Sequence, residues 1–353
     1  MDALALKTSL LCHGINSDNG FIRDGRKGGA GPAGSCIEVE GMLVNVPTYE
    51  PTVKNSPFKI RFDDGFKLIN GGESHPIKLM PRPGFYDKTS SDGTPMKKIA
   101  LLHGRDCLAT TLYQRCVLMD MGKGCGFCAI ETTLKNGSTI LRKTPSQLIE
   151  VASEAVKEGA THLAITTGTP DLKDHGTWIM AEAVRSLKEH LDLPIHVQLT
   201  PLSRENLELL FDSGADTIGI HVETFDQNVL RKICPGKAGF NYIDALRNAV
   251  SLFGENQVSS FVLGGLGEEL AKMKSGFEEM ASLGVIPYLV PFRPLPGALL
   301  ERRPPPEPGY MRDLYIDLAD ALTRYGLDLK KNVAGCVRCG ACSAIDVALE
   351  RRC

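Results

Sequence analysis

Three cysteines, Cys116, Cys125 and Cys128, fall within the stretch CVLMDMGKGCGFCAIE (Cys116–Glu131). Glycines crowd the last two, and an aromatic residue, Phe127, stands between them. Thiolates at this density in one loop read as metal or cluster ligands, because ligation needs several sulfurs converging on one centre. Glycine lets the backbone bend tightly around such a centre and leaves amides free to point at sulfur. Three thiolates on a four-iron cube leave one iron open to another molecule. A structural zinc knuckle needs a fourth ligand instead, for which His103 is the candidate. A second triad, Cys336, Cys339 and Cys342, closes the sequence. Cys107 and Cys234 stand apart and read as packing residues.

The rest of the chain must position these loops. At 353 residues it can bury a large core, as one big domain or a domain with additions. Lys and Arg total 40 against 42 for Asp and Glu, a formal charge of -2, which argues against a nucleic-acid binder driven by bulk electrostatics. No apolar run reaches the roughly 18 residues of a membrane span, and the N-terminus lacks a signal-peptide pattern. Eleven cysteines, an odd number gathered mostly in two tight clusters, point to metal chemistry in a reducing cytoplasm and away from disulfides.

Residues 1–95 are rich in Gly and Pro and poor in helical periodicity. RKGGAGPAG (Arg26–Gly34) lacks the GxxxxGK[ST] spacing of a phosphate loop and reads as a turn or a lid. Met42–Pro47 and Phe58–Phe62 alternate like small antiparallel strands, with Asp63–Gly65 as a turn, so this part is expected to be a β-rich cap. From residue 96 to 327 strands and helices alternate. The strands are expected at KIALLHG, Cys107–Cys116, His162–Pro170, Ile195–Pro201, Thr217–Thr224, Ser259–Glu268 and Pro287–Gly297. Thr144-Pro145 opens a helix, with threonine as cap and proline in the first turn. Further helices are expected to about His190, over Ser203–Asp212, about Tyr242–Leu252, to Leu283, and over Tyr310–Leu327. Six such units with apolar, β-branched strands give an α/β fold, a barrel or a doubly wound sheet, with chemistry gathered at the C-terminal strand ends. Those ends carry Cys116 onward, Thr166–Thr169, Gln198, Glu223, Gly264-Gly265 with Glu268, and Arg293.

Over Ile99–Leu327 the sequence resembles the radical S-adenosylmethionine (SAM) superfamily. The cysteine loop follows the first strand, and CGFC (Cys125–Cys128) has the typical aromatic before its last cysteine. The usual spacing of three residues then two is here eight then two. RKGGAGP, KIALLHG, CGFCAIE, ITTGT, GIHVETFD, GLGE, VPFRPLPG and CVRCGACS together resemble the biotin- and lipoyl-synthase-related branch. They are similar to the two-component lipoyl synthases and to a nitrilase-linked sister group.

The resemblance implies a partial (β/α)6 barrel of the TIM type, with the small N-terminal cap (1–95), a core (96–327) and a C-terminal cluster-binding tail (328–353). It implies that Cys116, Cys125 and Cys128 hold a 4Fe–4S cluster whose open iron takes SAM. Thr167-Gly168-Thr169 stands where the superfamily has Gly-Gly-Glu, so its contact with the methionyl amino group falls to carbonyls and hydroxyls. Glu223 is the candidate for the ribose or the methionyl ammonium, because a buried acid needs a partner. Gly264, Gly265 and Gly267 are expected to let adenine approach the backbone with Leu266 packed against it, and Arg293 to pair with the SAM carboxylate or a substrate acyl group. His196 and Gln198 share one face of their strand. The tail triad, similar to the Cys-x2-Cys-x2-Cys of ferredoxins, implies an auxiliary 4Fe–4S cluster. Its fourth ligand is open among Ser343, Asp346, Cys12, Cys36 and Cys353.

The activity implied is lipoyl-synthase-like sulfur insertion into a protein-bound octanoyl chain. The expected partners are a lipoyl-domain or H-protein-like carrier, a paralogous radical SAM protein and a ferredoxin or flavodoxin electron donor. The alternatives are radical chemistry on a small molecule of nitrile metabolism and a non-catalytic iron–sulfur or zinc scaffold.

Overall fold

A computed structural model describes residues 1–16, 34–49, 52–200 and 203–351. Most of the Arg26–Gly34 loop and Cys353 lie outside the described residues. The cap is a five-stranded antiparallel sheet of β1 (Ser35–Val39), β2 (Met42–Val46), β3 (Phe58–Phe62), β4 (Phe66–Asn70) and β5 (Glu73–Leu79), in the order β2-β1-β5-β4-β3. The expected Asp63–Gly65 turn joins β3 to β4, with Asp64 and Gly65 both at positive φ.

An unexpected helix, Ala3–His13, precedes the sheet. Asp2 caps it, its carboxylate accepting from the Ala5 amide at 2.7 Å. Leu4, Leu6, Lys7, Leu10, Leu11 and Cys12 are all buried, so the helix is apolar around most of its circumference and shows no stripe. That is why helical periodicity did not reveal it.

The second sheet forms the core. It contains β6 (Leu101–His103), β7 (Cys107–Thr111), β8 (His162–Thr166), β9 (Ile195–Leu199), β10 (Thr217–Ile220), β11 (Val258–Gly264) and β12 (Ile286–Pro291). The strands follow in sequence order. β7 to β12 are parallel, and β6 is an antiparallel edge. KIALLHG splits into a helical turn, Met96–Ile99, and the short β6. Helices cross between the parallel strands, making a curled α/β half-barrel. The Pro145–Lys157 helix has a full capping box between Thr144 and Gln147. A short helix, Gln227–Ile233, capped by Asp226, was not expected.

Register divides the sheet into two faces. Cys107 pairs with His162, and Ala109 aligns across the sheet with Ala164, His196 and Thr217. Thr111 aligns with Thr166, Gln198, Gly219, Ser259 and Ile286, and Phe261 with Tyr288. Over β7 to β10 this concave face is mostly small or polar, and Phe261, Ile286 and Tyr288 add bulk on β11 and β12. Leu163, Ile165, Val197, Ile218, Val262 and Leu289 alternate onto the opposite face and join the main hydrophobic core.

Candidate functional site

The first cysteine loop leaves the C-terminal end of β7 and is clamped by backbone from three other segments. Gly168 donates to the Tyr113 carbonyl at 2.8 Å, and Val117 donates to the Thr169 carbonyl at 2.8 Å. A Cβ on Gly168 would lie 2.0 Å from the Arg115 carbonyl oxygen, so only glycine fits there. The expected Thr167–Thr169 segment therefore lies directly against the strand leading to Cys116. On the other side Gly126 donates to the Ile233 carbonyl at 2.7 Å, and Gly236 donates to the Lys123 carbonyl at 3.0 Å. Leu300 donates to the Gly126 carbonyl at 2.9 Å. His103 pairs with Cys107 in the β6–β7 hairpin, at the other end of β7 from this loop.

Cys234 is brought to Cys125 by the same clamp. Its thiol hydrogen-bonds the Cys125 sulfur and lowers the Cys125 pKa, burial opposes this, and Lys237 lowers it further. Cys234 is buried in the main hydrophobic core, as the packing reading expected, and a backbone clamp between distant segments also makes it a neighbour of the cluster loop. Burial pushes the Cys128 thiol up to about 12, with the charges of Cys125 and Cys116 adding to it.

Glu223 lies just past β10, bridged to Val262 and 5% exposed, at φ 65. A non-glycine residue held there stores on the order of 1–3 kcal/mol of strain, a cost found mostly at functional positions. Its carboxylate pairs with Lys237, which is itself largely buried. Burial alone would lower the Lys237 pKa. Glu223 and Cys125 more than offset it and hold the ammonium charged well above its ordinary value. The partner that a buried acid requires is therefore supplied by the chain.

The Gly264–Gly267 loop packs against the Pro-rich linker. A Cβ on Gly264 would meet the Met311 sulfur at 2.4 Å, and one on Gly265, at φ 101, would meet Pro306 at 2.7 Å. Glu268 accepts from the Gly265 amide at 2.6 Å and from the Tyr310 hydroxyl at 2.5 Å, while Arg303 donates to the Gly265 carbonyl at 3.0 Å. The close approaches of Gly264 and Gly265 are thus made by protein, and Leu266 is buried beside them. Arg293 follows β12 and donates to the Asn45 carbonyl of the cap at 2.6 Å, so it ties core to cap.

The tail triad crosses the concave face. The Ala334 carbonyl accepts from Thr217 at 3.2 Å, and the ring of His196 lies against Gly335. Gln198 donates to the Cys336 sulfur at 3.7 Å, and Asn45 of β2 donates to the Cys342 sulfur at 3.2 Å. The Cys342 amide donates to the Tyr288 hydroxyl at 3.3 Å. Cys339 packs against Cys107, Ala109 and Ala164, so Cys107 is a packing residue, as expected, on the wall that meets the tail. Burial first, then the charge of Cys342, pushes Cys339 up to about 12. Of the expected fourth ligands, Ser343 donates to the Leu289 carbonyl at 2.7 Å and Asp346 pairs with the buried Lys7 at 2.7 Å. Cys12 lies on the N-terminal helix and is buried in the main hydrophobic core.

Between the two triads the concave face holds buried histidines. His196 is 1% exposed, and burial lowers it to about 3. Its Nδ1 lies 2.6 Å from the Thr217 hydroxyl, whose proton goes to Ala334; Nδ1 is therefore the protonated nitrogen and Nε2 a free acceptor. The His221 Nδ1 accepts from the Phe261 amide at 3.1 Å, leaving Nε2–H a donor. Neither Nε2 has a partner among the described residues. His221 stacks on Phe261 and Phe261 on Tyr288, a column of rings leading toward Cys342.

Both triads suit iron–sulfur clusters in donor chemistry. Cys128, Cys336 and Cys339 are buried thiols raised by burial and by neighbouring thiolates, which a positive centre would relieve, and N–H···S bonds from Asn45 and Gln198 reach the tail sulfurs. Among the described residues no three His, Cys, Asp or Glu side chains close on one metal-ion position. A cube differs from zinc in giving each thiolate its own iron.

Fold and site together define an α/β half-barrel with a cysteine loop at the C-terminal mouth of its first parallel strand. The Radical SAM superfamily profile matches residues 112–278, and this match, with biotin and lipoyl synthases among the chain's relatives, supports the biotin- and lipoyl-synthase-related branch of that superfamily. It is 26% identical over 265 residues to the bacteriochlorophyllide c C-7(1)-hydroxylase of Chlorobaculum limnaeum, covering 67% of this chain and 64% of that one. It is 28% identical over 182 residues to biotin synthase of Thermotoga petrophila, covering 49% and 58%. Lipoyl synthase of Leptospira interrogans is 28% identical over 145 residues, covering 40% and 47%. The chain thus matches less than two thirds of the length of each. The FeFe-hydrogenase maturase HydG from Carboxydothermus hydrogenoformans shares the fold, with a TM-score of 0.50, 18% identity, and 63% and 52% coverage. No helix among the described residues is long and apolar enough to cross a membrane.

Proposed function

We propose that this radical SAM enzyme inserts sulfur into an unactivated carbon–hydrogen bond of a protein-bound octanoyl chain, in the manner of lipoyl synthase. Cys116, Cys125 and Cys128 would hold the 4Fe–4S cluster that binds SAM, and Cys336, Cys339 and Cys342 an auxiliary 4Fe–4S cluster as sulfur source. When bound, cluster and SAM supply one-electron cleavage of the sulfonium C–S bond to methionine and a 5′-deoxyadenosyl radical, which removes a hydrogen atom from carbon. The chain's own residues orient the reactants and keep them dry. Glu223, held by Lys237, would accept hydrogen bonds from SAM, and Thr167–Thr169 would meet its methionyl end. A lipoyl-domain or H-protein-like carrier, a paralogous radical SAM partner and a ferredoxin or flavodoxin donor belong to this reading.

The observation that supports it is the tail triad lying on the concave face of the half-barrel whose mouth carries the other three cysteines. A substrate radical formed in the lumen would meet sulfide there. The test is to incubate the reconstituted protein with SAM, a reductant and an octanoyl-lysine peptide, and to count sulfur-bearing product per polypeptide by mass spectrometry. About one turnover per chain is expected, because the donated sulfide is not restored by SAM. The Cys336→Ala/Cys339→Ala/Cys342→Ala variant should still cleave SAM slowly and form no such product. Many turnovers without loss of sulfide would replace the donor role with electron relay.

A second reading, radical chemistry on a small polar molecule such as one of nitrile metabolism, is favoured by one observation. The unpartnered acceptor of His196 and donor of His221 would leave an aliphatic chain with two unmet hydrogen bonds.

A further inference from the structure

We infer that Cys107 is the fourth thiolate of the tail centre and completes it from the barrel wall. This rests on the reading that Cys336, Cys339 and Cys342 carry a cluster, and is independent of whether that cluster donates sulfur.

Four observations converge. Register puts Cys107 on the concave face, the face the tail crosses. Its same-face neighbours Ala109 and Ala164 are small, so the wall is recessed where Cys339 packs against all three. The hairpin turn that leads into Cys107 is shaped around a tail sulfur. Gly104 sits at φ 58, and a Cβ there would lie 2.5 Å from the Cys339 Sγ. Finally, three of the other candidates are engaged elsewhere. The Ser343 hydroxyl is spent on Leu289, and both Asp346 oxygens accept from Lys7, at 2.9 and 2.7 Å. Cys12 packs in the main core, Cys353 lies outside the described residues, and Cys36 remains on the cap sheet as the competitor.

Cys107 is fully buried, so water does not compete for its sulfur. Cys36 pairs across the cap sheet with Asn45, whose amide reaches the Cys342 sulfur, so it is the competitor to exclude. A thiolate on a parallel strand is also held more rigidly than one on an exposed loop.

The test uses the full chain carrying Cys116→Ala, Cys125→Ala and Cys128→Ala, reconstituted with iron and sulfide under anaerobic conditions, so that only the tail centre is seen. In this background Cys107→Ala should lose about one iron in four and show a three-iron paramagnetic signal when oxidised. Cys107→Ser, nearly isosteric, should keep its iron with a changed Mössbauer doublet for one site, which guards against simple misfolding of the alanine variant. Cys36→Ala should match the background. An unchanged iron count and spectrum in both Cys107 variants overturns the assignment, as does a three-iron signal from Cys36→Ala instead. A background protein that binds no iron overturns the tail-cluster reading itself, and this inference with it.

Discussion

The two cysteine triads are built in opposite ways. Cys116, Cys125 and Cys128 sit on one loop at the mouth of the half-barrel, held by main-chain hydrogen bonds to Gly168, Thr169 and Ile233 and flanked by the Cys234 thiol and the Lys237–Glu223 pair. Cys336, Cys339 and Cys342 lie across the inner wall and take side-chain contacts from β7, β9, β12 and the cap. A loop fixed by backbone can keep one corner of a cluster open to a ligand. A tail gripped by side chains from several strands is fixed to the inner wall. Under the proposed function the first centre would receive the cosubstrate and the second would face the space where product forms.

The largest expected effect separates the two centres. Cys125→Ala or Cys128→Ala should abolish 5′-deoxyadenosine formation from SAM, yet leave about half the iron in the tail. Wild-type amounts of 5′-deoxyadenosine from either variant would remove the distinction.

Next is the buried pair at the mouth. Glu223→Gln leaves the Lys237 ammonium uncompensated and should cost about 3–5 kcal/mol of stability, measured by denaturant unfolding. Adding Lys237→Met should recover most of that loss. SAM affinity should stay one to two decades low in both variants, the worth of a charge-assisted hydrogen bond of about 1.5–3 kcal/mol. Affinity restored together with stability would confine Glu223 to a structural role.

An intermediate effect follows from acid. His162 and His196 lie against the tail triad's wall, and burial holds them near 4 and 3. Their folded values are below the unfolded value of about 6.5, so the unfolded chain binds more protons between these limits. Stability should therefore be full above about pH 6.5 and fall as pH drops, by about 2 kcal/mol for the two together between pH 6.5 and 5.5. Thermal unfolding across that range checks it, and His196→Asn should make the dependence shallower.

The smallest effect concerns single contacts to sulfur. Asn45→Ala removes the amide that donates to Cys342 and should make the tail centre's midpoint potential more negative by the equivalent of about 0.5–1.5 kcal/mol. A redox titration in the Cys116/Cys125/Cys128 alanine background reads it, and an unchanged potential would put the cap outside the second centre.

Much of this was legible in the chain. Apolar runs separated by capped helices gave the parallel strands nearly in full, and the capping box at Thr144 and Gln147 marked its helix start to the residue. Dense cysteines marked both loops because few other functions need that spacing. What escaped was long-range. Cys234 meets Cys125 only through the clamp of Gly126 on Ile233, and Cys107 meets Cys339 only because the tail returns across the sheet. Lys237 had one sequence signal, the need of a buried acid for a partner fourteen residues away. Arg293 reads as a ligand contact from its place after a strand, yet bonds to a cap carbonyl that no local pattern announces.

One contact described above has a kinetic consequence. Lys7 and Asp346 are 339 positions apart, and their ion pair joins the first helix to the last. A contact of such separation cannot form until nearly all the intervening chain has condensed, because closing so large a loop is compensated only by structure already in place. It belongs on the native side of the folding barrier. Lys7→Met should therefore leave the refolding rate nearly unchanged and speed unfolding, so that the pair acts as a latch on the lifetime of the folded state.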